Sequence, residues 1–169
     1  MLLINQSKME YRTPDNALRV LPGYIPKNYR IWEPRGDHNI IKYFEDRGYN
    51  IQGTNEKNFL DIDPPLKSSD FDCIVSKPDF STLSNFLERC IYFKKPFMLL
   101  MPITALETER RQRYFQETKI KIILFDRRVQ FLSPQLLNQT KKTRPPMATA
   151  WFCHGFENIP NVLNFSKLV

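Results

Sequence analysis

Glycine is scarce in this chain, with five among 169 residues against roughly 7% in an average protein. Few positions are left where the backbone can take a positive φ or let a ligand approach it closely. Cysteine is also rare. Cys73, Cys90 and Cys153 show no CxxC spacing, which excludes a disulfide framework and a zinc signature, and their odd number fits a reducing compartment. They read as buried thiols. No apolar run approaches the ~20 residues of a membrane-spanning helix. The opening "MLLINQSKMEYRTP" lacks a basic start, a long apolar stretch and a small-residue cleavage site, so no secretion signal is expected and a cytoplasmic setting is.

What remains is an ordinary globular composition, 41% hydrophobic and 25% charged, long enough for one domain over 1–169 with its own core. The net charge of +7 is unevenly placed. Residues 1–88 carry 11 Lys/Arg against 13 Asp/Glu, whereas residues 89–169 carry 14 against 5. Such asymmetry points to a polyanionic partner, the alternative being a solvated basic face that serves only solubility. The candidates for phosphate contact are Arg110, Arg111, Arg113, Arg127, Arg128, Lys141, Lys142 and Arg144. The last three lie in "SPQLLNQTKKTRPP" (133–146), a polar, proline-terminated stretch read as an exposed loop.

Along the chain, "PDNALRVL" has helical spacing after Pro-Asp, and "YRIWEP" is a short strand stopped by proline. "DHNIIKYFEDRG" places Ile40, Ile41 and Phe44 on one helical face before Gly48. "YNIQGT", "FDCIVS" and "PFMLLMP" read as strands, the last two with the unbroken apolar character of strands covered on both faces. Between them "STLSNFLERCIYF" opens on a serine cap and puts Leu83, Phe86, Leu87 and Cys90 at helical spacing. A helix over 106–118 leads to the strand "IKIILF", and "RRVQF" and "ATAWFCHGF" read as two closing strands. Strands alternating with helices predict an α/β, Rossmann-like, mostly parallel sheet with helices on both faces, ending in an antiparallel hairpin. Ligands of such sheets sit at the carboxyl ends of the first and neighbouring strands.

Three stretches, "IWEPRGDHNI", "DFDCIVSKPDF" and "RPPMATAWFCHGF", make the chain resemble small, phage-type, single-domain DNA adenine-N6 methyltransferases, which use S-adenosylmethionine (SAM). The likeness runs from about residue 11 to residue 156. It implies that the first strand ends in Glu-Pro, two small residues and Gly-Asp-Gly, a tight loop around the methionine part of SAM. It also implies a later strand ending in an NPPF or DPPY motif, whose first residue accepts hydrogen bonds from the target amino group while the aromatic stacks on the flipped base.

Carried over residue by residue, Glu33, Pro34, Gly36 and Asp37 match the cofactor loop. One small residue is missing, Arg35 fills the narrowed gap, and His38 replaces the last glycine, where a left-handed backbone is expected to strain it. Asn55 takes the place of the ribose-binding acid, with Glu56 one position late, and Asn58 that of the acid that contacts the adenine of SAM. In the catalytic turn Lys77 stands at Asn/Asp, Pro78 at the first proline, Asp79 at the second and Phe80 at the aromatic. Protonated lysine has three donors and no acceptor, so it cannot receive hydrogen bonds from the target amine. A neutral Lys77 would need a large burial shift from ~10.4, which nothing nearby in the sequence supports. Lys77 and Asp79 are read as a pair across the turn, and Phe80 as either a base-stacking or a core residue.

"DIDPPL" (61–66) mimics the motif, but Leu66 takes the aromatic position, so it reads as a rigid loop. Cys153 and His154 point to opposite strand faces and form no metal site; they read as a core cysteine and an edge histidine. Trp151 and Phe152 are expected to pack the sheet. The reading that follows is a catalytically degenerate methyltransferase-fold protein with no cofactor expected, binding nucleic acid (DNA before RNA) or a partner protein. Its alternatives are an active SAM-dependent DNA or RNA adenine-N6 methyltransferase with an altered site, and a structural subunit without ligand.

Overall fold

The computed structural model describes residues 12–131 and 147–169. After a short helix α1 (Asp15–Leu18) the chain alternates strand and helix: β1 (Arg30–Glu33), α2 (His38–Glu45), β2 (Asn50–Gly53), α3 (Glu56–Leu60), β3 (Cys73–Ser76), α4 (Leu83–Tyr92), β4 (Phe97–Pro102), α5 (Glu109–Thr118) and β5 (Lys121–Phe125). Two strands close it, β6 (Thr149–His154) and β7 (Leu163–Ser166). The seven strands form one sheet in the order β2-β1-β3-β4-β6-β5-β7. All run in parallel except β6, which lies antiparallel to both β4 and β5. No helix among the described residues is long and apolar enough to cross a membrane.

Period-two alternation divides the central strands between two cores. Val75, Met98, Leu100 and Trp151 face α1 and α2, where they meet Leu18, Ile40 and Phe44. Ile74, Leu99, Met101 and Phe152 face the other way, toward Phe59, Phe86 and Phe115 of α3, α4 and α5. Trp32 anchors the second core, its ring 4.9 to 5.4 Å from those of Phe59, Phe71 and Phe93. The expectation of a parallel sheet with an antiparallel hairpin and helices on both faces therefore holds.

Four local readings are corrected. "RRVQF" is not a strand; Val129 is buried in the first core with Phe131 packed against it, and the partner of β6 in the hairpin is β5. The parallel strand β7 was not expected. The residue before α4 is Thr82, which makes no side-chain cap bond, so Ser81 does not cap it. His154 ends an interior strand rather than an edge, and its Nδ1 lies 2.6 Å from the Thr118 carbonyl.

Candidate functional site

The chain leaves β1 toward β2 on one side and returns to β3 on the other. The crevice at the carboxyl ends of β1 and β3 is thus the switch point at which sheets of this kind take ligands. Its floor is organised by Glu33, whose side chain is wholly buried. One carboxylate oxygen accepts from the backbone N–H of Gly36 and, at 2.7 Å, from that of Asp37. The other accepts from the Ser76 hydroxyl at 2.6 Å and the Arg35 N–H at 3.3 Å. Desolvation raises the Glu33 pKa to about 7, against the pull of these donors. The loop therefore spends its own amides on its own carboxylate, and the same group fastens it to β3.

Asp37, also buried, caps α2 through the N–H groups of Asn39 and Ile40. Its second oxygen accepts from the Thr13 hydroxyl at 2.7 Å and the Thr13 N–H at 3.1 Å. Gly36 has φ +82°, and a Cβ there would lie 2.7 Å from the Thr54 carbonyl oxygen. The glycine thus lets the loop press onto the end of β2, a need internal to the chain. His38 is exposed as the first residue of α2. Among the described non-glycine residues only Lys94 and Lys119 have positive φ, so the strain expected at His38 is absent.

Across the crevice, Lys77 and Pro78 are buried, Asp79 is half-buried and Phe80 is 52% exposed; core packing for Phe80 is ruled out. Arg35 reaches over from the β1 loop and donates to Asp79 Oδ1 at 2.7 and 3.1 Å. Its Nε also lies 3.8 Å from Glu56, whose carboxylate accepts from the Thr82 hydroxyl. Burial raises the Glu56 pKa, and Asp79 adds to the rise while Thr82 and Arg35 oppose it. A guanidinium that is only 12% exposed consequently bridges the two loops at the crevice. Lys77 lies over the Phe131 ring, Nζ 5.6 Å from its centre. Burial and then Arg35 lower its pKa, while Asp37, Asp79 and Glu33 oppose the shift.

Asn55 caps α3, accepting from the Asn58 N–H at 3.0 Å, and Asn58 is exposed on that helix. The arginines of α5 have partners within the chain. Arg110 pairs with Glu88 at 2.6 Å, Arg113 with Glu109, and Arg111 donates to the Ala105 carbonyl at 2.7 Å and to Ser84. Arg127 lies 3.3 Å from Asp126, and Arg128 is exposed. Lys141, Lys142 and Arg144 lie outside the described residues. Sequence reasoning missed Thr13 and Ser76, and the partnerships of Arg35, Glu56 and Thr82. The only signal for the first of these partnerships was an unplaced cation in one loop and a carboxylate in the other.

Neither the protein-family models nor the curated proteins contain a match to this chain. Solved structures do. A class I SAM-dependent methyltransferase from Listeria monocytogenes is 12% identical with a TM-score of 0.55, covering 99% of this chain and 68% of that one. The methyltransferase subunit of a type I restriction-modification system from Streptococcus thermophilus is 11% identical with a TM-score of 0.57, covering 95% of this chain. A ribosomal protein L11 methylase from Lactobacillus delbrueckii subsp. bulgaricus is 11% identical with a TM-score of 0.51, covering 85% of this chain and 78% of that one. The chain spans about half the length of the Streptococcus subunit (48%). The shared property is the Rossmann-like fold of SAM-dependent methyltransferases.

Proposed function

We propose that this is a methyltransferase-fold protein that no longer transfers methyl groups and is retained to bind nucleic acid or a partner protein. The observation that carries the reading is the Arg35 guanidinium held on Asp79 at the switch point. Bonded to one another across the switch point, these two side chains are committed to the chain itself rather than to a ligand. The loop amides that would face a ligand are turned onto Glu33. Lys77, where the resemblance calls for an acceptor, offers only donors when charged. The basic second half of the chain supports a nucleic-acid partner; the resemblance to DNA adenine-N6 methyltransferases of phage type points to DNA before RNA.

Calorimetric titration with SAM and with its demethylated product tests this. Neither is expected to bind at micromolar concentration. Micromolar binding of SAM, with methyl transfer to adenine in DNA or RNA, would establish the second reading, an active enzyme with an altered site. One observation favours that second reading: Lys77 is buried with a lowered pKa, and a neutral amine can accept a hydrogen bond.

A further inference from the structure

Among the described residues the sheet has two outer strands, and they are finished differently. β2 exposes the polar Asn50 and Gln52, so it has no apolar row to cover. β7 carries no charge over residues 161–166 and leaves Leu163 46% and Phe165 80% exposed. In its parallel ladder with β5, the N–H groups of Ile122 and Asp126 donate to the Val162 and Ser166 carbonyls. The even-numbered residues of β7 thus turn their backbone groups inward, and the N–H and C=O groups of Leu163 and Phe165 point out of the sheet. Their side chains share one face and extend the row of Ile122 and Leu124, which lie opposite them in register and pack on the second core. Open backbone groups and exposed apolar side chains therefore coincide at the same two residues, an edge without the charges that usually blunt one.

We propose that β7 is a self-pairing edge: two copies of this chain join β7 to β7, antiparallel about a two-fold axis at Asn164, and continue the sheet from one subunit into the other. The occupant that fits is an extended strand with outward backbone groups and an apolar side chain at two alternate residues, and β7 is itself such a strand. In this register Leu163 of each copy lies opposite Phe165 of the other, and each pair exchanges both of its N–H to C=O bonds. The leucine and phenylalanine side chains then meet as cross-strand neighbours on one face. Lys167 comes level with Asn161 rather than with its own counterpart, so no like charges are set face to face although each chain carries +7. Sliding the partner by two residues in either sense puts Lys167 against Leu163 or Asn161 against Phe165, which loses the match. A contact of this symmetry closes on itself, whereas β7 set against β2 of a second chain leaves a free edge at each end and builds a filament. With two apolar side chains from each copy, the contact is smaller than the ~800 Å² per partner of a standard interface, so the dimer is expected to dissociate on dilution. Neither SAM nor nucleic acid takes part, which separates this inference from the outcome of the SAM titration.

The test is sedimentation velocity of the full chain from about 1 µM to about 500 µM, with amide hydrogen exchange followed residue by residue by NMR at both ends of the range. The mass is expected to rise with concentration and level off at twice that of the single chain. The Leu163 and Phe165 amides should exchange at least about tenfold more slowly in the concentrated sample, whereas the Asn164 amide, turned toward β5, is protected in both. Phe165→Lys changes a side chain that is 80% exposed, so its circular dichroism should match that of the unaltered protein while its mass stays that of one chain throughout. A single-chain mass for the unaltered protein at every concentration overturns the proposal. So does a dimer that survives Phe165→Lys, a mass that climbs past two chains without levelling off, or a dimer whose Leu163 and Phe165 amides exchange as fast as in the dilute sample.

Discussion

A carboxyl group as secluded as that of Glu33 holds its proton well into the neutral range, and folding then depends on pH with a definite sign. Its folded pKa of about 7 lies above the ordinary 4.5, so between those values the folded chain binds more protons than the unfolded one. Stability therefore falls as pH rises across that window, by up to about 3 kcal/mol from this group. Asp72 acts in the opposite direction at lower pH. Its side-chain and backbone bonds from Arg30 depress its pKa from 3.8 to about 2, so its contribution is lost as pH falls through that interval. We expect Glu33→Gln to remove the decline between pH 4.5 and 7 while leaving the acid limb in place. Urea midpoints measured at about pH 5 and pH 7.5 for both proteins check this; parallel pH profiles would mean that Glu33 does not titrate there.

Between elements, the bond of Arg35 to Asp79 ties the loop after β1 to the turn after β3. With side chains only 12% and 28% exposed, the pair should show a coupling energy of about 1 to 2 kcal/mol in a double-mutant cycle of Arg35→Ala and Asp79→Ala followed by urea unfolding. Additive losses would make the bridge incidental. The sequence could not reveal this link, because the two residues are 44 positions apart and meet only when β3 is placed beside β1. Thr13, bonded to Asp37 from 24 positions away, was hidden for the same reason. By contrast Glu33, Asp37, Lys77 and Asp79 were reached through the family resemblance, whose motifs fall where β1 and β3 end. The strands themselves were legible where both faces are covered, as in "CIVS" and "FMLLMP". β7 was not, because Leu163 and Phe165 are exposed and the segment is held instead by the Asn164 amide, which donates to the Ile122 and Asn161 carbonyls. "RRVQF" misled because Val129 and Phe131 alternate with polar residues, yet among the described residues the segment pairs with no strand.

For the molecule as a whole, the basic excess of the second half is the feature that a polyanion would read. If nucleic acid is bound, affinity for a short duplex should fall steeply with salt, the logarithm of the binding constant dropping by about 0.9 per phosphate contact for each unit of log salt. A fluorescence-anisotropy series checks this, and binding that ignores salt would favour a protein partner. Strand order bears on how the molecule comes together. β6 is translated after β5 but belongs between it and β4, bonding along both. Until residues 149–154 have been made, the flank of β4 is bare, and β5, to which β7 is added later still, lacks the strand that joins it to β4. The wholly apolar segment Phe97–Pro102 must therefore wait, uncovered on that side, while some fifty further residues are synthesised. A late keystone of this kind makes the half-made chain, rather than the finished one, the form most in need of a chaperone.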